Sequence, residues 1–397
     1  MDNKKPKLRF RGFTDDWKQR MVGELVKNHN AGIYISKEKY GEGINVIGVG
    51  NIYDNDIFDG EIYRLGPVND DKFLLDEGDL IYGESSLVLE GIARTVCVGK
   101  NGVGSAFAWH TRRVKLDNNI VDSHFATLEL NYNPVVRKYL MSVATQTAIT
   151  GMTTDGYFSA PLFLPSLFEQ NKISAVFKHL DKLITLHQSK YEQLLKYKNA
   201  MIDNMFPKDG EKVPKIRFKG FTSDWEHCKV AELFKITRGY VLPATETESS
   251  WSKEKPYPVY SSQTKDNGLM GYHSEYLYEN AITWTTDGAN AGTVNYRAGK
   301  FYCTNVCGVL LSDRVKANKM ISEAINKVAK GYVSYVGNPK LMNNVMADID
   351  IYISKEEKER ENISEMLEKF DNLIALHQRN LESLKNIKKS LLEKMFI

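Results

Sequence analysis

The chain has 397 residues, a formal net charge of +3 and a hydrophobic fraction of 42%, which is ordinary for a folded globular protein. This length indicates two or three domains. The apolar runs fall short of the roughly 20 residues that a bilayer-spanning helix needs, and no hydrophobic stretch follows the basic start MDNKKPKLRF. We therefore expect a cytoplasmic protein without a signal peptide, in which any affinity for nucleic acid comes from local patches.

An internal repeat divides the chain into two halves. Residues 7–17, KLRFRGFTDDW, return at 215–225 as KIRFKGFTSDW. Residues 179–206, HLDKLITLHQSKYEQLLKYKNAMIDNMF, are answered at 369–396 by KFDNLIALHQRNLESLKNIKKSLLEKMF. Each half therefore consists of a short motif, a globular block and a long helix.

The repeat predicts an α+β protein with a pseudo-twofold internal symmetry. Two mixed α/β globular domains alternate with two long α-helices, which we expect to pair antiparallel as a coiled-coil spacer. The charged run KDGEKVPK after Pro207 marks the seam. The predicted segments are 1–163 (first domain, with the repeat motif 7–25), 164–207 (first helix), 208–352 (second domain, with the repeat motif 215–233) and 353–397 (second helix).

The two globular blocks differ in sequence, but each predicts short strands separated by turns and one helix. For the first block these are Asn45–Val49, Asp79–Tyr82, Ala93–Val98, Arg113–Leu116 and the helix Val135–Ala144. For the second they are Pro258–Ser261, Ala281–Thr285, Gly292–Tyr296, Val306–Leu311 and the helix Met320–Val328. One correspondence is visible, because residues 78–86 and 279–288 each form an apolar strand that runs into a polar, glycine-bearing turn.

The stretch Leu167–Phe206 predicts a long amphipathic helix. Its apolar residues recur at steps of three and four, and no proline or glycine interrupts it before Pro207. At about 1.5 Å per residue it would extend for roughly 60 Å, which is too long for the core of one domain. The helix therefore needs a partner, and residues 357–396 supply one. Its predicted heptad core positions are Ile173, Val176, Leu180, Leu183, Leu194, Tyr197 and Met201.

His187 and His377 occupy core positions near the middle of the two helices. A polar break at the centre of an apolar seam fixes the register of a coiled coil, so we expect both histidines near the pseudo-twofold axis. The alternative is that each histidine faces solvent or a partner protein. The residues predicted to pair the helices or to lie at their docking surface are Leu180, Leu183, His187, Leu194, Phe370, Leu373, His377 and Leu384.

The repeat motifs carry aromatic residues at matched positions: Phe10, Phe13, Trp17, Phe218, Phe221 and Trp225. Such residues can stack on bases. Because they recur in both halves, we favour a role in the shared framework, with Trp17 and Trp225 packed against helix ends or against a partner subunit.

The sequence predicts no catalytic residue and no metal site. A GxxxxGK[ST] phosphate loop and a nucleophile elbow are both absent. Cys303 and Cys307 could be combined with His273 as metal ligands, but no paired CxxC accompanies them, so the cysteines are most simply free thiols. The acidic residues at 76–79 precede an apolar strand, as turn residues do, which argues against a nuclease site.

The repeated motifs LRFRGFTDDW and IRFKGFTSDW, each with a downstream LHQ helix, resemble the specificity subunit of bacterial type I restriction-modification enzymes. The resemblance extends over the full chain. It implies two target-recognition domains that each bind one half of a split, asymmetric DNA site, and two helices that set the spacing and dock the modification subunits. It also implies that the chain is not an enzyme, and the Pro-Pro pair of the adenine-methyltransferase motif is indeed absent.

The partners that the resemblance implies are double-stranded DNA, two modification (methyltransferase) subunits and, through the complex, the restriction and translocase subunits. No cofactor is expected in this chain. S-adenosylmethionine is expected in the modification subunit, and ATP and Mg²⁺ in the restriction subunit. The alternative is a non-catalytic coiled-coil adaptor whose globular blocks bind proteins or ligands.

Reading base edges requires polar side chains that loops present to the DNA grooves. The same residue types also favour ordinary turns, so turn chemistry remains the alternative at each position. In the second block the candidates are Ser261, Ser262, Gln263, Lys265, Asn267, Thr285, Thr286, Asp287, Asn290, Lys340, Asn343 and Asn344. In the first block they are Ser85, Ser86, Arg94, Arg112, Arg113, Gln146, Thr147, Thr153 and Thr154.

Overall fold

The structure, a computed structural model, describes residues 5–34, 36, 40–52, 62–66, 68–146, 149–208, 210–262 and 265–396. The chain forms two compact units. Unit 1 consists of Met1–Leu186 and Asn380–Ile397, and unit 2 consists of His187–Arg379. Each unit therefore contains one globular block and segments of both long helices. The four segment limits that the repeat suggests stay a prediction.

Unit 1 begins with the repeat motif and continues into a mixed α/β block. Its helices are α1 (Val22–Leu25), α2 (Ser123–Tyr132), α3 (Pro134–Val143), α4 (Thr154–Phe158) and the first part of the long helix α5 (Leu167–Met205). Its strands are β1 (Lys18–Met21), β2 (Val26–Ala31), β3 (Tyr40–Ile47), β4 (Tyr63–Leu65), β5 (Leu80–Gly83), β6 (Ser85–Ser86), β7 (Thr95–Cys97), β8 (Ala106–Phe107), β9 (Thr111–Leu116), β10 (Thr145–Gln146), β11 (Thr150–Gly151) and β12 (Pro161–Leu164).

Unit 2 repeats this plan with longer strands. Its helices are α6 (Val230–Leu233), α7 (Lys319–Ala329), α8 (Asn343–Ala347) and the first part of the long helix α9 (Glu357–Met395). Its strands are β13 (Glu226–Lys229), β14 (Phe234–Arg238), β15 (Tyr257–Tyr260), β16 (Leu269–His273), β17 (Tyr278–Thr285), β18 (Val294–Cys303), β19 (Cys307–Ser312) and β20 (Asp350–Ile353).

The two units share one sheet topology although their sequences differ. The order β2-β9-β5-β7 in unit 1 matches β14-β19-β17-β18 in unit 2, and the pair β1-β12 matches β13-β20. In each unit one parallel pairing extends the arrangement, β3 with β8 and β15 with β18. The correspondence predicted between residues 78–86 and 279–288 is therefore a correspondence of β5 with β17.

The repeat motif fixes the start of a long helix in each unit. The Arg9 guanidinium donates two hydrogen bonds, of 2.6 and 2.7 Å, to the carboxylate of Glu169 in the first turn of α5. The Arg217 guanidinium binds Glu359 in the first turn of α9 in the same bidentate way, at 2.7 and 2.9 Å. Both carboxylates are fully buried, so neither ion pair is a surface contact. Each one fastens a repeat motif to the start of a long helix, and we call it a clasp.

The same motif also holds the end of the other long helix. The Trp17 indole is 3% exposed and packs against the Phe396 ring that follows α9, with ring centres 6.4 Å apart. The Trp225 indole is 2% exposed and packs against Phe206 after α5, at 5.7 Å. These tryptophans therefore lie at helix ends, inside the framework that the two units share.

The long helices run antiparallel where they meet in each unit. In unit 1 the Lys388 ammonium forms a 2.6 Å ion pair with Asp181, and Phe177 contacts the ring of Phe396. In unit 2 Lys198 forms a 2.7 Å ion pair with Asp371. As the residue numbers rise along α5, those of the contacting residues in α9 fall, so the two helices are antiparallel. This confirms the predicted α+β fold with two antiparallel helices.

The residues predicted to pair the helices differ in burial. Tyr197, a predicted heptad core position, and Leu373, a predicted pairing or docking residue, are 58% and 45% exposed, so neither lies in the seam. The physical reason is that the seam between two helices covers only a narrow stripe, and residues on the flank of a wider apolar stripe stay in solvent. Leu180 is buried, and the half-buried members of the predicted set are Leu183, His187, Leu194, Phe370, His377 and Leu384.

His187 and His377 meet in unit 2. Their Nδ1 atoms lie 2.9 Å apart and their ring centres 5.0 Å apart. The structure thus places the two histidines against each other, where one ring nitrogen donates a hydrogen bond to the other. Within the described residues, none of the helices combines the length and the apolar composition that a membrane-spanning segment requires.

Candidate nucleic-acid interface

Three predicted loops of unit 2 meet at one place in the structure. The loop after β17 and the loop before α8 pair through Asp287 and Lys340, whose charged groups are 3.8 Å apart. The loop after β15 joins them, because the Asn290 amide donates a 3.0 Å hydrogen bond to the carbonyl of Ser262. Side chains that are far apart in the sequence therefore form one continuous polar surface.

A small polar cavity opens among these loops. Arg297 forms one wall: its Nε donates to the Thr283 hydroxyl at 3.1 Å, and its Nη2 donates to the Asn267 carbonyl at 2.7 Å. The guanidinium lies 3.7 Å from the ring centre of Tyr260, and burial lowers the pKa of Arg297. The polar residues that line the cavity are Ser261, Asn267, Thr283, Thr285, Asn290, Thr293, Asn295 and Arg297.

Unit 1 has a cavity of its own beside the turn that follows β5. Ser85, Ser86 and Arg94, three of the predicted residues, line it together with Glu90. The Arg94 guanidinium also donates a 3.3 Å hydrogen bond to the carbonyl of Asn131, which holds it at the wall. The remaining lining consists of Val49, Gly50, Ile52, Gly83, Val88 and Gly91.

Backbone hydrogen bonds show that the two cavities occupy equivalent places. At the end of β5 the Gly83 amide donates to the Arg94 carbonyl, and at the end of β17 the Thr285 amide donates to the Thr293 carbonyl. One residue further on, the Glu84 amide donates to the carbonyl of His110, as the amide of Thr286 does to that of Val306. The same fold therefore presents two differently lined cavities.

The linings differ in the chemistry that distinguishes bases. Unit 2 presents mainly amides and hydroxyls, and amide side chains match the major-groove edge of adenine. Unit 1 presents a guanidinium and a carboxylate beside two serines, and these groups match guanine and cytosine edges. The two units therefore present unlike polar linings on one framework.

Other predicted residues of unit 1 lie near this surface or outside it. Arg112 is held by a 2.7 Å ion pair with Glu84. Arg113 does not join the surface, because its side chain is 4% exposed and donates to the Leu74 carbonyl at 2.6 Å. Gln146 is exposed in β10, Thr153 caps α4, Thr154 is the first residue of α4, and Thr147 lies outside the described residues.

The remaining predicted residues of unit 2 are also divided. Thr286 is 7% exposed and its hydroxyl donates to the Asp287 carboxylate at 2.7 Å, so it supports the loop from inside. Lys340 is exposed, and Asn343 and Asn344 begin α8. Gln263 lies outside the described residues, as does the side chain of Lys265.

An exposed aromatic group in unit 1 was missed by the sequence-based prediction. Tyr34 and Trp109 are 74% and 48% exposed, and their ring centres lie 5.6 Å apart. His110 packs against Trp109 at 3.5 Å, and its carbonyl accepts the hydrogen bond from Glu84. The sequence carries no signal for this group, because tyrosine and tryptophan beside strands are typical of a core as well.

The cysteines that could suggest a metal site are enclosed in unit 2. Cys303 and Cys307 are buried, and burial raises the pKa of both thiols, that of Cys307 to about 11. In the described part of the chain, no three His, Cys, Asp or Glu side chains cluster closely enough to hold a metal ion. Thiolate chemistry is therefore unfavourable at this position.

Comparisons with known proteins agree with this arrangement. The family model of the type I restriction modification DNA specificity domain matches residues 14–196 and again 222–386. A putative type I specificity subunit (N-terminus) of Mycoplasma pneumoniae is 37% identical over 148 residues, which are 36% of this chain and 75% of that protein. A second one from this organism is 32% identical over 39% of this chain, and the match spans only half of that relative's length.

Two further relatives match almost end to end. A putative type I restriction enzyme specificity subunit of Methanocaldococcus jannaschii is 22% identical over 95% of this chain and 92% of its own length. The crystal structure of a type I restriction-modification system S subunit from M. genitalium covers 99% of both chains with a TM-score of 0.75 and 16% identity, which shows a shared fold. With both of its units matched by the family model, the chain belongs to the type I restriction-modification DNA specificity family.

Proposed function

We propose that this chain is the sequence-specific DNA-recognition subunit of a type I restriction-modification complex, and that each unit reads one half of a split, asymmetric target. The observation that carries the proposal is the pair of equivalent cavities with unlike polar linings. Base discrimination needs convergent donors and acceptors on a rigid support, and the strand ends provide that support. The match of the DNA specificity domain to both units supports the same assignment.

The long helices act in this proposal as a spacer between the half-sites. α5 and α9 have 39 residues each and are clasped at their starts by Arg9 and Arg217. A clasped, antiparallel pair resists bending better than a linker, so the distance between two readers is set by helix length. Readers on one face of a duplex are separated by about one helical turn, roughly 34–36 Å.

Exposed apolar residues on the helices offer docking positions for the modification subunits. In unit 1 these are Leu186 and Ile387, 51% and 46% exposed; in unit 2 they are the repeat-related Leu376 and Tyr197, 44% and 58% exposed. Exposed apolar side chains at matched places indicate a contact that is used twice. We therefore propose two modification subunits, one on each unit.

Catalysis belongs to the partners in this proposal. The modification subunits supply S-adenosylmethionine chemistry, and the restriction subunits use ATP and Mg²⁺. The arginines of the two cavities are engaged in positioning, because Arg94 and Arg297 donate hydrogen bonds to the backbone carbonyls of Asn131 and Asn267. The purified chain should therefore show neither methyl transfer nor DNA cleavage, with any divalent metal or methyl donor added.

Methylome sequencing tests the proposal. The chain is co-expressed with a cognate modification subunit, and host DNA is sequenced for methylated adenines. We expect one new split motif, with a methylated adenine in each half. The coiled-coil adaptor, which the family assignment does not support, predicts a stable complex without any new motif, and that result would overturn the proposal.

A further inference from the structure

A small β ribbon beside each cavity is common to the two units. In unit 1 it consists of β10, β11 and β6, in that order. In unit 2 the same pairings are reduced to bridges that join Ser334 to Lys340 and Lys340 to Asp287. The ribbon is tied to the cavity wall in both units, because β6 and Asp287 directly follow the strand ends described above.

Each ribbon exposes a large apolar side chain almost completely. Among the large apolar side chains of the described residues, only Leu87 and Val336 are more than nine-tenths exposed, at 91% and 92%. Leu87 follows β6, and Val336 lies in the turn between Ser334 and Lys340 beside Tyr335, which is 70% exposed. Single exposed apolar residues are common on proteins. Here the two extreme cases lie at different positions of the ribbon, Leu87 after β6 and Val336 in the turn that corresponds to the one between β10 and β11. Each nevertheless places an apolar side chain beside a cavity, which indicates a shared use.

Hydrogen bonds close the turn that carries each of these residues. The Ser86 hydroxyl donates to the carbonyl of Val88 at 2.7 Å, which closes the turn that carries Leu87. The amides of Ser334 and Lys340 each donate to the other's carbonyl at 2.9 Å, which closes the turn that carries Val336. Because the turns are already ordered, little further conformational entropy is lost when their apolar side chains are buried in a partner.

We propose that Leu87 and Val336 are apolar wedges that insert between neighbouring base pairs of the bound half-sites. This inference rests on the proposed function, since the wedges lie beside the residues assigned to base reading. Proteins that insert leucine or another apolar side chain into a base step unstack it and bend the duplex, which brings more of the protein surface into contact. The surrounding polar loops and Lys340 suit the base edges and phosphates on either side of such a step.

The experiment uses the complex with its modification subunits and a duplex that carries the motif found by methylome sequencing. 2-Aminopurine replaces one base at a time around each half-site, because its fluorescence rises when stacking is lost. The methylated adenine and its two neighbours are left unlabelled, since a methyltransferase unstacks them when it extrudes its target base. The wild-type complex should give a several-fold rise at one step in each half-site. Leu87→Ser should abolish the rise in one half-site only, and Val336→Ser in the other only.

Val103→Ser serves as the matched control, since Val103 is 49% exposed in the turn between β7 and β8 of unit 1 and away from the ribbon. It should leave both signals unchanged. The wedge proposal is overturned when the wild-type complex gives no fluorescence rise on its motif, or when both serine variants retain the rise. The proposed function stands in either case. Loss of the modification subunits from a serine variant identifies a protein contact and also overturns the wedges, whereas absence of any motif overturns both proposals.

Discussion

The ion pairs Arg9–Glu169 and Arg217–Glu359 are the residue-scale feature that the repeat preserves most directly. Each joins a motif to the first turn of a long helix, where the helix dipole also favours a carboxylate. The arginine side chains are 12% and 10% exposed, and the glutamate side chains are completely buried. Removing the arginine would leave a buried negative charge without its partner.

Replacing one of these arginines should therefore destabilise the protein strongly. We expect Arg217→Ala to cost about 3–5 kcal/mol in the free energy of unfolding, measured by urea denaturation. Lys5→Ala is the control, because the Lys5–Asp16 ion pair is more than half exposed on both sides and should be worth less than about 1 kcal/mol. Similar effects of the two substitutions would contradict a clasp role.

Glu129 in α2 gives a pH-dependent prediction. Its carboxylate is fully buried and accepts hydrogen bonds from the Asn133 amide and the Phe163 backbone, and burial raises its pKa to about 8. The folded state therefore keeps a proton that the unfolded chain releases above its usual pKa of 4.5. Protonated Glu129 therefore contributes its full stabilisation below pH 4.5, and this contribution is lost as the pH rises towards 8.

Glu129→Gln removes this titration. The unfolding free energy of the variant minus that of the wild type should increase by about 1.4 kcal/mol for each pH unit between roughly pH 5 and 8. Urea denaturation at several pH values measures the difference. A difference that stays constant over this range would show that Glu129 does not retain its proton in the folded state.

Individual side chains illustrate what sequence reasoning can and cannot predict. The loops around Ser261, Asn267 and Asn290 were predictable, because turn residues directly follow apolar strands, and the structure brings them to one cavity. Arg113 was misleading, since its ion pair with Asp79 depends on contacts between separate strands. Contacts between residues that are distant in the sequence leave no local pattern. The role of Arg297 in the cavity wall could not be predicted for the same reason.

At the scale of elements, the sequence predicted the long helices and eight of the 20 strands in the described residues, but not α2. Ser123–Asn131 are all buried, so these residues form no solvent-exposed face, and a helix that is buried on every side shows no amphipathic period. The equivalence of the two sheets was visible only at β5 and β17. Pairings such as β3 with β8 join distant residues, and their hydrogen bonds leave no pattern in the sequence.

The helix pair yields a prediction about spacing. Seven residues inserted after Gln188 and seven after Gln378 preserve the heptad phase and lengthen both helices by roughly 10 Å. We expect the methylated motif to keep both half-sites and to gain about three base pairs in its gap, at roughly 3.4 Å per base pair. Methylome sequencing of the variant measures this.

A matched control carries the insertion in α5 alone. It shifts the antiparallel register that Lys388–Asp181 and Lys198–Asp371 hold, so this variant should fail to form the methylating complex. An unchanged gap in the doubly lengthened protein would show that the helices do not set the spacing.

For the whole molecule, a common framework and unlike readers explain why the sequence repeats only in part. The repeat motifs and the long helices recur because they bind each other through the ion pairs Arg9–Glu169 and Arg217–Glu359. The same contacts have to form in both units. The blocks keep their topology but change the side chains around the cavities. We therefore expect the two units to read DNA independently of each other.

Exchange of one block tests this claim most directly. Residues 228–352 are replaced by the corresponding block of another member of the family, and host DNA is sequenced after co-expression with the modification subunits. We predict a methylated motif in which one half-site is new, while the other half-site and the gap are unchanged. A motif with both half-sites altered would contradict the account.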